Sequence, residues 1–364
     1  MSFVLPKQRS LTVSHELAAL GWSPSRAEEF VPYAAAGHVP ARVAARHRGA
    51  YVVHGESGER PAEVAGHLHH VSAGPADLPA VGDWVALGDA PDAAAATIHA
   101  VLPRRTAFSR KAAGEAAEQV VAANVDVVFL VGAFGPDLNV RRLERYLAAG
   151  WDSGADPVIV LNKSDLADDL AGATAAVEAV ALGVPVLIVS AADGSGLEEL
   201  TPYLAGNRTA ALLGSSGVGK SSLVNRLLGS ERQDVAGLRA DGKGRHTTTY
   251  RELIPLPGGG LVLDTPGMRE LGLWEAGDGV DQTFADVTDL AATCRFRDCA
   301  HEGEPGCAVL AAVEEGRLPA GRLESYRKLL RELRHLEALG DPRARAEARK
   351  RRRRFARSLR RSAY

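Results

Sequence analysis

Two patterns of apolar and polar positions divide the chain. Between about Gly37 and Arg105 the apolar residues come in short runs broken by Gly, Pro and Asp: Arg42 to Ala45, Ala50 to Val53, Ala62 to Ala65, Asp83 to Leu87 and Thr97 to Leu102. Five strands at this spacing predict a small antiparallel barrel, and an OB-fold is the commonest five-stranded choice. From Val125 onward, longer apolar strands (Val125 to Phe134, Pro157 to Leu161, Pro185 to Val189, Ala210 to Leu213, Leu261 to Asp264) alternate with helical patterns such as Val140 to Ala149 and Asp168 to Leu182. That alternation predicts a parallel α/β sheet. Further on, Leu318, Leu323, Tyr326, Leu329, Leu330, Leu333 and Leu336 predict a closing helix. Before Gly37, only Leu17, Leu20 and Trp22 suggest structure, as a short helix and turn packed on the next domain.

The 364 residues are 46% hydrophobic and 24% charged, the composition of a globular protein of two or three domains. The most apolar run, Val125 to Phe134, is of strand length and contains Asp126, and the first residues carry no signal-peptide core. The sequence therefore predicts a cytoplasmic protein without a membrane partner. Its net charge of −2 conceals an asymmetry, because residues 341–364 hold eleven Lys and Arg against two acids. This arginine-rich end reads as a basic helix or arm for phosphate binding, with RNA the favoured ligand.

Candidate chemistry centres on Gly214-Ser215-Ser216-Gly217-Val218-Gly219-Lys220-Ser221, directly after the strand at Ala210 to Leu213 and followed by Ser222 and a helical pattern. This is the phosphate-loop spacing. Glycines let the backbone N–H groups turn inward, Lys220 brings charge to the outer phosphates, and the Ser221 hydroxyl can ligate Mg²⁺. Asn162-Lys163-Ser164-Asp165 follows a strand, and Asp165 offers two carboxylate oxygens to the two donors on the guanine edge, which selects GTP over ATP. Ser190-Ala191 fits the short segment whose backbone N–H caps the guanine oxygen. Asp264-Thr265-Pro266-Gly267 ends another strand, so that Asp264 would hold Mg²⁺ through water and the Gly267 N–H would sense the γ-phosphate. Thr248, within Gly244 to Thr249, is expected to complete the metal shell. The guanine motifs precede the phosphate loop, the reverse of the usual order, so the domain is read as circularly permuted. Met268 stands where Ras-like enzymes carry their water-orienting glutamine, and His246 is the expected replacement. The expected catalytic group is therefore His246, Lys220 and Thr248.

All three cysteines lie in Cys294-x₄-Cys299-x-His301-x₅-Cys307. Three thiolates and an imidazole compose a closed, structural Zn²⁺ site, one ion per chain. His67, His69 and His70 lack a neighbouring acid or cysteine and read as a solvated loop. Arg104, Arg105, Arg110 and Lys111 read as a basic connector, either along a phosphate backbone or free in solvent.

The permuted motifs, the preceding barrel and the Cys-x₄-Cys-x-His-x₅-Cys finger together resemble the ribosome small-subunit-dependent GTPase A family, as do Ser109 to Gly114, Ala123 to Asp126 and Gly244 to Thr249. The resemblance implies a cytoplasmic GTPase, expected to be monomeric, that exchanges GTP and GDP, binds the small (30S) ribosomal subunit and its 16S rRNA, and hydrolyses GTP late in subunit assembly. The expected architecture is multidomain: an N-terminal extension (1–36), an OB-fold RNA-binding barrel (37–105), a circularly permuted α/β P-loop GTPase domain (106–280), an α-helical zinc-binding domain (281–341) and a basic tail (342–364). Two alternatives stay open on the residues alone: a regulatory GTPase acting on a protein partner, and a non-enzymatic RNA-binding scaffold that holds GTP.

Overall fold

The computed structural model describes residues 14–47, 50–88, 93–111, 118–136, 138–229, 251–264 and 277–340, with Lys111, Gly277 and the last five of these for the backbone only. Two helices, α1 (His15–Ala19) and α2 (Pro24–Ala35), open the chain. Ser23 caps α2, its hydroxyl accepting from the Arg26 N–H, and Pro24 sits at the first helical position, where a missing N–H costs nothing.

The barrel consists of β1 (His38–Arg46), β2 (Tyr51–Gly55), β3 (Gly58–Val64), β4 (Trp84–Gly88) and β5 (Ala96–Val101). β1 pairs with both β2 and β4, which closes the order β1-β2-β3-β5-β4 on itself. Its interior holds Val43, Tyr51, Val53, Val85, Leu87 and Ile98. The five strands fall where the short apolar runs placed them, but the barrel is not wholly antiparallel: β3 pairs with β5 in parallel, because the connection through residues 65–83 and β4 brings β5 back in the same direction. His67, His69 and His70, read as a loop, lie instead on a short helix, α3 (Gly66–Val71), and are exposed there.

The N-terminal helices are locked to the barrel and to the following domain by buried cations. Arg42, fully buried, donates to the carbonyls of Leu20 at 2.6 Å, Gly82 at 3.1 Å and Asn124 at 2.9 Å. Burial pushes its pKa down to about 10, which still leaves it charged at neutral pH. Trp22 packs edge-on against both Phe30 and Trp84. The basic connector is reassigned in part. Arg104 binds the buried Asp83 carboxylate at 2.8 Å and the carbonyls of Ala76 and Leu78, while Arg105 reaches Glu29 at 3.2 Å. A buried carboxylate demands a paired cation, and this demand overrides both readings of Arg104 as a free or phosphate-bound residue. Beyond it, β6 (Ala107–Lys111) and β7 (Glu118–Ala123) form a two-stranded ribbon.

The central sheet contains β8 (Val127–Ala133), β9 (Asp156–Asn162), β10 (Val186–Ile188), β11 (Thr209–Gly214), β12 (Glu252–Pro255) and β13 (Leu261–Asp264) in the order β10-β9-β8-β11-β13-β12. All neighbours run parallel except β12 against β13. The strands are buried on both faces, by α4 (Val140–Asp152) and α5 (Leu170–Ala181) on one side and by α6 (Thr201–Leu204) and α7 (Lys220–Leu228) on the other. One register pair, Ala45 with Glu252, joins β12 to β1, so the barrel and the sheet share a ladder.

The C-terminal unit is helical: α8 (Gly277–Thr283), α9 (Ala285–Ala291), α10 (Ala308–Glu314) and α11 (Ala320–Gly340). Its core of Val280, Phe284, Val287, Val309, Leu323, Tyr326 and Leu329 includes Ala148 from α4. A Cβ on Gly279 would overlap the Ala148 carbonyl, so glycine permits α8 and α4 to touch. At this seam Arg322, buried with Glu144, binds that carboxylate at 2.7 Å and Asp286 at 3.0 Å, and lies 4.2 Å over the Phe284 ring. Among the described residues no helix is long and apolar enough to cross a membrane.

Candidate functional site

Every described motif of the nucleotide site lies at the carboxyl edge of the central sheet, where a parallel sheet presents its loops. Gly214 ends β11, and a side chain there would overlap the Val131 carbonyl of β8, so glycine lets the loop leave the sheet at this point. Ser216 and Gly217 form the exposed tip, Val218 is buried beneath it, and Gly219 takes a left-handed conformation (φ 94°) before α7 begins at Lys220. The N–H groups of Ser221 and Ser222, in the first turn of α7, have no acceptor within the helix and point back toward the loop, which suits an anion. Lys220 Nζ donates to the carbonyls of Gly214 at 2.7 Å and Ser215 at 2.6 Å.

Asn162 joins this loop to the guanine loops. Its Nδ2 donates to the Val218 carbonyl at 2.8 Å, and its Oδ1 accepts from the Ala191 N–H at 2.9 Å. Both loops are thus held by one buried amide, although 56 residues separate Asn162 from Val218 and 29 separate it from Ala191. The Ala191 N–H, expected to face a base oxygen, is taken by Asn162, because a buried amide oxygen must find a donor. Lys163 adopts a left-handed conformation (φ 64°), which swings Asp165 round. There its Oδ1 accepts from the buried Ser190 hydroxyl at 2.6 Å, so the carboxylate that would read the base is fixed from behind. Asp264 ends β13 beside β11, within the sheet register that brings Leu263 opposite Ala211. His246, Thr248, Gly267 and Met268 lie outside the described residues.

Three site residues were not legible in the sequence. Arg226 of α7 donates from Nε to the Ala191 carbonyl at 2.8 Å, and from Nη2 to that of Ala192, clamping the guanine loop from the phosphate-loop helix. Arg142 Nη1 donates to Ser215 Oγ at 2.7 Å, and the Tyr146 hydroxyl lies 3.3 Å from the same oxygen. On amphipathic helices such residues look like ordinary surface or boundary positions; only the fold brings their partners near.

The second cluster comprises Cys294, Cys299, His301 and Cys307, whose ligand atoms all lie within 4.8 Å of one another. Cys294 Sγ is 3.9 Å from Cys307 Sγ, and His301 Nδ1 is 3.7 and 3.4 Å from those two sulfurs. A tetrahedral ion bound at about 2.3 Å from sulfur and 2.0 Å from nitrogen would space its ligands about 3.8 Å (S to S) and 3.5 Å (S to N) apart, so the four groups fit a metal ion. Burial raises the Cys294 thiol pKa, but the N–H groups of Val309 and Ala308 at the start of α10 more than offset this and lower it overall, while burial and the neighbouring thiols push Cys299 up to about 11. The left-handed His301 (φ 58°) turns the imidazole back toward the cysteines.

A family model described as RsgA GTPase matches residues 101–274. The small ribosomal subunit biogenesis GTPase RsgA of Opitutus terrae is 52% identical over 337 residues, 90% of this chain and 92% of its own. The protein of the same name from Streptomyces coelicolor is 50% identical over 339 residues, covering 92% and 91%. Among solved structures, YjeQ from Thermotoga maritima superposes with a TM-score of 0.61 at 29% identity, covering 81% of this chain and 98% of its own. YloQ, a circularly permuted GTPase, gives 0.59 at 26% identity, covering 82% and 96%.

Proposed function

This chain belongs to the RsgA GTPase family, and from that premise we propose that it binds the small ribosomal subunit and hydrolyses GTP under that subunit's stimulation late in subunit assembly. It is a GTP hydrolase acting in small-subunit biogenesis. The observation that carries the GTP site is the Asn162 side chain, bonded to both Val218 and Ala191, which makes the base-reading and phosphate-binding loops one site.

In this reading Asp165 selects guanine, Lys163 and the Ser190-Ala191 segment border the base, and residues 214–222 cradle the phosphates. A Mg²⁺ ion held by Ser221, Asp264 and Thr248 would supply positive charge at the β- and γ-phosphate oxygens. Lys220 adds charge on the same side, Gly267 senses the γ-phosphate, and His246 orients the attacking water. Zinc is the metal that best suits three thiolates and an imidazole without an open position, and there it would crosslink the C-terminal unit. The barrel and the C-terminal unit make the 16S rRNA contacts, and the protein works as a cytoplasmic monomer.

The test is co-sedimentation of the full chain with purified 30S subunits in a non-hydrolysable GTP analogue, paired with phosphate release with and without subunits. Binding that depends on the analogue, together with a raised hydrolysis rate, supports the proposal. Absence of both overturns it, and a salt-independent affinity would favour a purely protein partner over rRNA.

A further inference from the structure

The loop after β10 has one backbone donor left over once its hydrogen bonds are assigned. The Ser190 N–H donates to the Ser195 carbonyl at 2.9 Å, the Ser190 carbonyl accepts from the Gly194 N–H at 2.9 Å, and the Ala191 N–H donates to Asn162 Oδ1 at 2.9 Å. The next two carbonyls go to Arg226, whose Nε donates to Ala191 at 2.8 Å and whose Nη2 donates to Ala192. Only the N–H of Ala192, an exposed residue, has no acceptor in the described structure. Its direction is set by the same arginine. The Ala191–Ala192 peptide is trans, so its C=O and N–H point opposite ways, and a carbonyl turned toward α7 turns the Ala192 N–H away from that helix. A guanidinium presents its donors as a fixed fork, so both carbonyls are held together rather than one at a time.

Guanine carries its 2-amino group, its N1–H and its 6-oxygen in succession along one edge. Asp165, the acceptor for the first two, is held by the Ser190 hydroxyl at 2.6 Å, two residues before Ala192. The 6-oxygen needs a donor beside that carboxylate. Adenine has an amino group at the same position, which would set donor against donor.

We propose that Arg226 is a positioning residue for base recognition: by holding the Ala191 and Ala192 carbonyls it aims the Ala192 N–H at the 6-oxygen of guanine, and so sets part of the preference for GTP. The proposal rests on the guanine reading given above and deepens it. Arg226 lies in the last turn of α7, and Lys220 and Ser221 lie in the first. One helix therefore fixes the distance between the donor to the base oxygen and the cradle for the phosphates.

The experiment measures equilibrium binding to the full chain, by competition against a fluorescent GDP, of GTP, ATP and 6-thioguanosine triphosphate. The thio analogue keeps the N1–H and 2-amino group for Asp165 and replaces only the 6-oxygen by sulfur, a weak acceptor. Wild-type protein should prefer GTP to this analogue by about 3- to 10-fold, the worth of one ordinary hydrogen bond. Arg226→Ala should lose about that factor for GTP and change by less than about twofold for the analogue, so the preference disappears while retained binding of the analogue shows that the site is folded. Arg226→Lys keeps the charge but not the fork, and should keep only part of the preference. An alanine variant that weakens both nucleotides alike, or neither, makes Arg226 an ordinary structural residue and overturns the inference. Wild-type protein indifferent to the sulfur overturns the Ala192 assignment. Wild-type protein that binds ATP as tightly as GTP overturns the guanine reading itself.

Discussion

Arg322→Met tests whether the C-terminal helical unit is fastened to the GTPase sheet by the buried charges at its seam. Arg322 and Glu144 are each only 3% exposed, so solvent screens little of their attraction. Removing the arginine leaves Glu144 buried without its cation, a change that typically costs 3–5 kcal/mol. The same substitution takes away the cation stacked on Phe284 and the 2.5 Å bond to the Thr283 carbonyl. Unfolding of so large a chain is not a single transition, so the better readout is local opening by amide hydrogen exchange over α8, α9 and α11. At 1.4 kcal/mol per decade, 3–5 kcal/mol predicts exchange about 10²- to 10⁴-fold faster there, with β8, β9 and β11 unaffected. The double variant Glu144→Leu/Arg322→Met removes both charges and should recover most of the protection, because an apolar pair of similar size at a buried seam is often as stable as the ion pair. Exchange in the single variant within about threefold of wild type, or a double variant as open as the single, would refute this account.

Four further outcomes are expected. Asp165→Asn should shift preference from GTP toward xanthosine triphosphate in competition binding, since the amide presents one acceptor and one donor while still accepting from Ser190. Gly219→Ala should weaken GTP binding at least tenfold by isothermal titration: its Cβ would overlap Asn162 Nδ2, and the left-handed backbone adds strain of about 1–3 kcal/mol. Cys299→Ser should lower the zinc content well below one per chain by elemental analysis and loosen residues 277–335, yet leave GTP affinity within about twofold; full metal occupancy in the variant would remove Cys299 from the ligand set. His246→Ala should bind GTP and 30S subunits normally and lose the subunit-stimulated rate in a phosphate-release assay, and retained stimulation would move the water-orienting role elsewhere.

Much of this architecture could be read from the chain because local rules and the final fold agree. Strands β2 and β5 of the barrel alternate, β8, β9 and β11 of the sheet are almost continuously buried, and each described phosphate or guanine motif lies at or just past the end of a strand. The sequence also placed all four metal-ligand candidates together, since their spacing is short enough for one loop and one helix start to gather them. Other features depended on distance. Nothing near Arg104 announces that Asp83 is buried 21 residues upstream, and nothing near Arg226 announces the Ala191 carbonyl 35 residues before it. The histidines at 67, 69 and 70 form a helical turn in spite of a flanking glycine, because the connection from β3 must fold back beside β5.

The permuted strand order also governs how the protein is made. β8 hydrogen-bonds to β9 on one side and β11 on the other, and its seven residues, Val127–Ala133, are all buried. A ribosome synthesising this chain delivers β8, then β9 and β10, and the phosphate-loop strand only roughly 80 residues after β8; at about 5–20 residues per second, β8 waits about 4 to 16 s with one edge unpaired. An unpermuted relative emits the phosphate-loop strand at the outset, before the strands that flank it. In this protein the nascent base-binding half is an aggregation-prone open edge until the phosphate-binding half arrives to seal it, and β1 of the barrel has to wait longer still, until Glu252 is made, for its partner in β12.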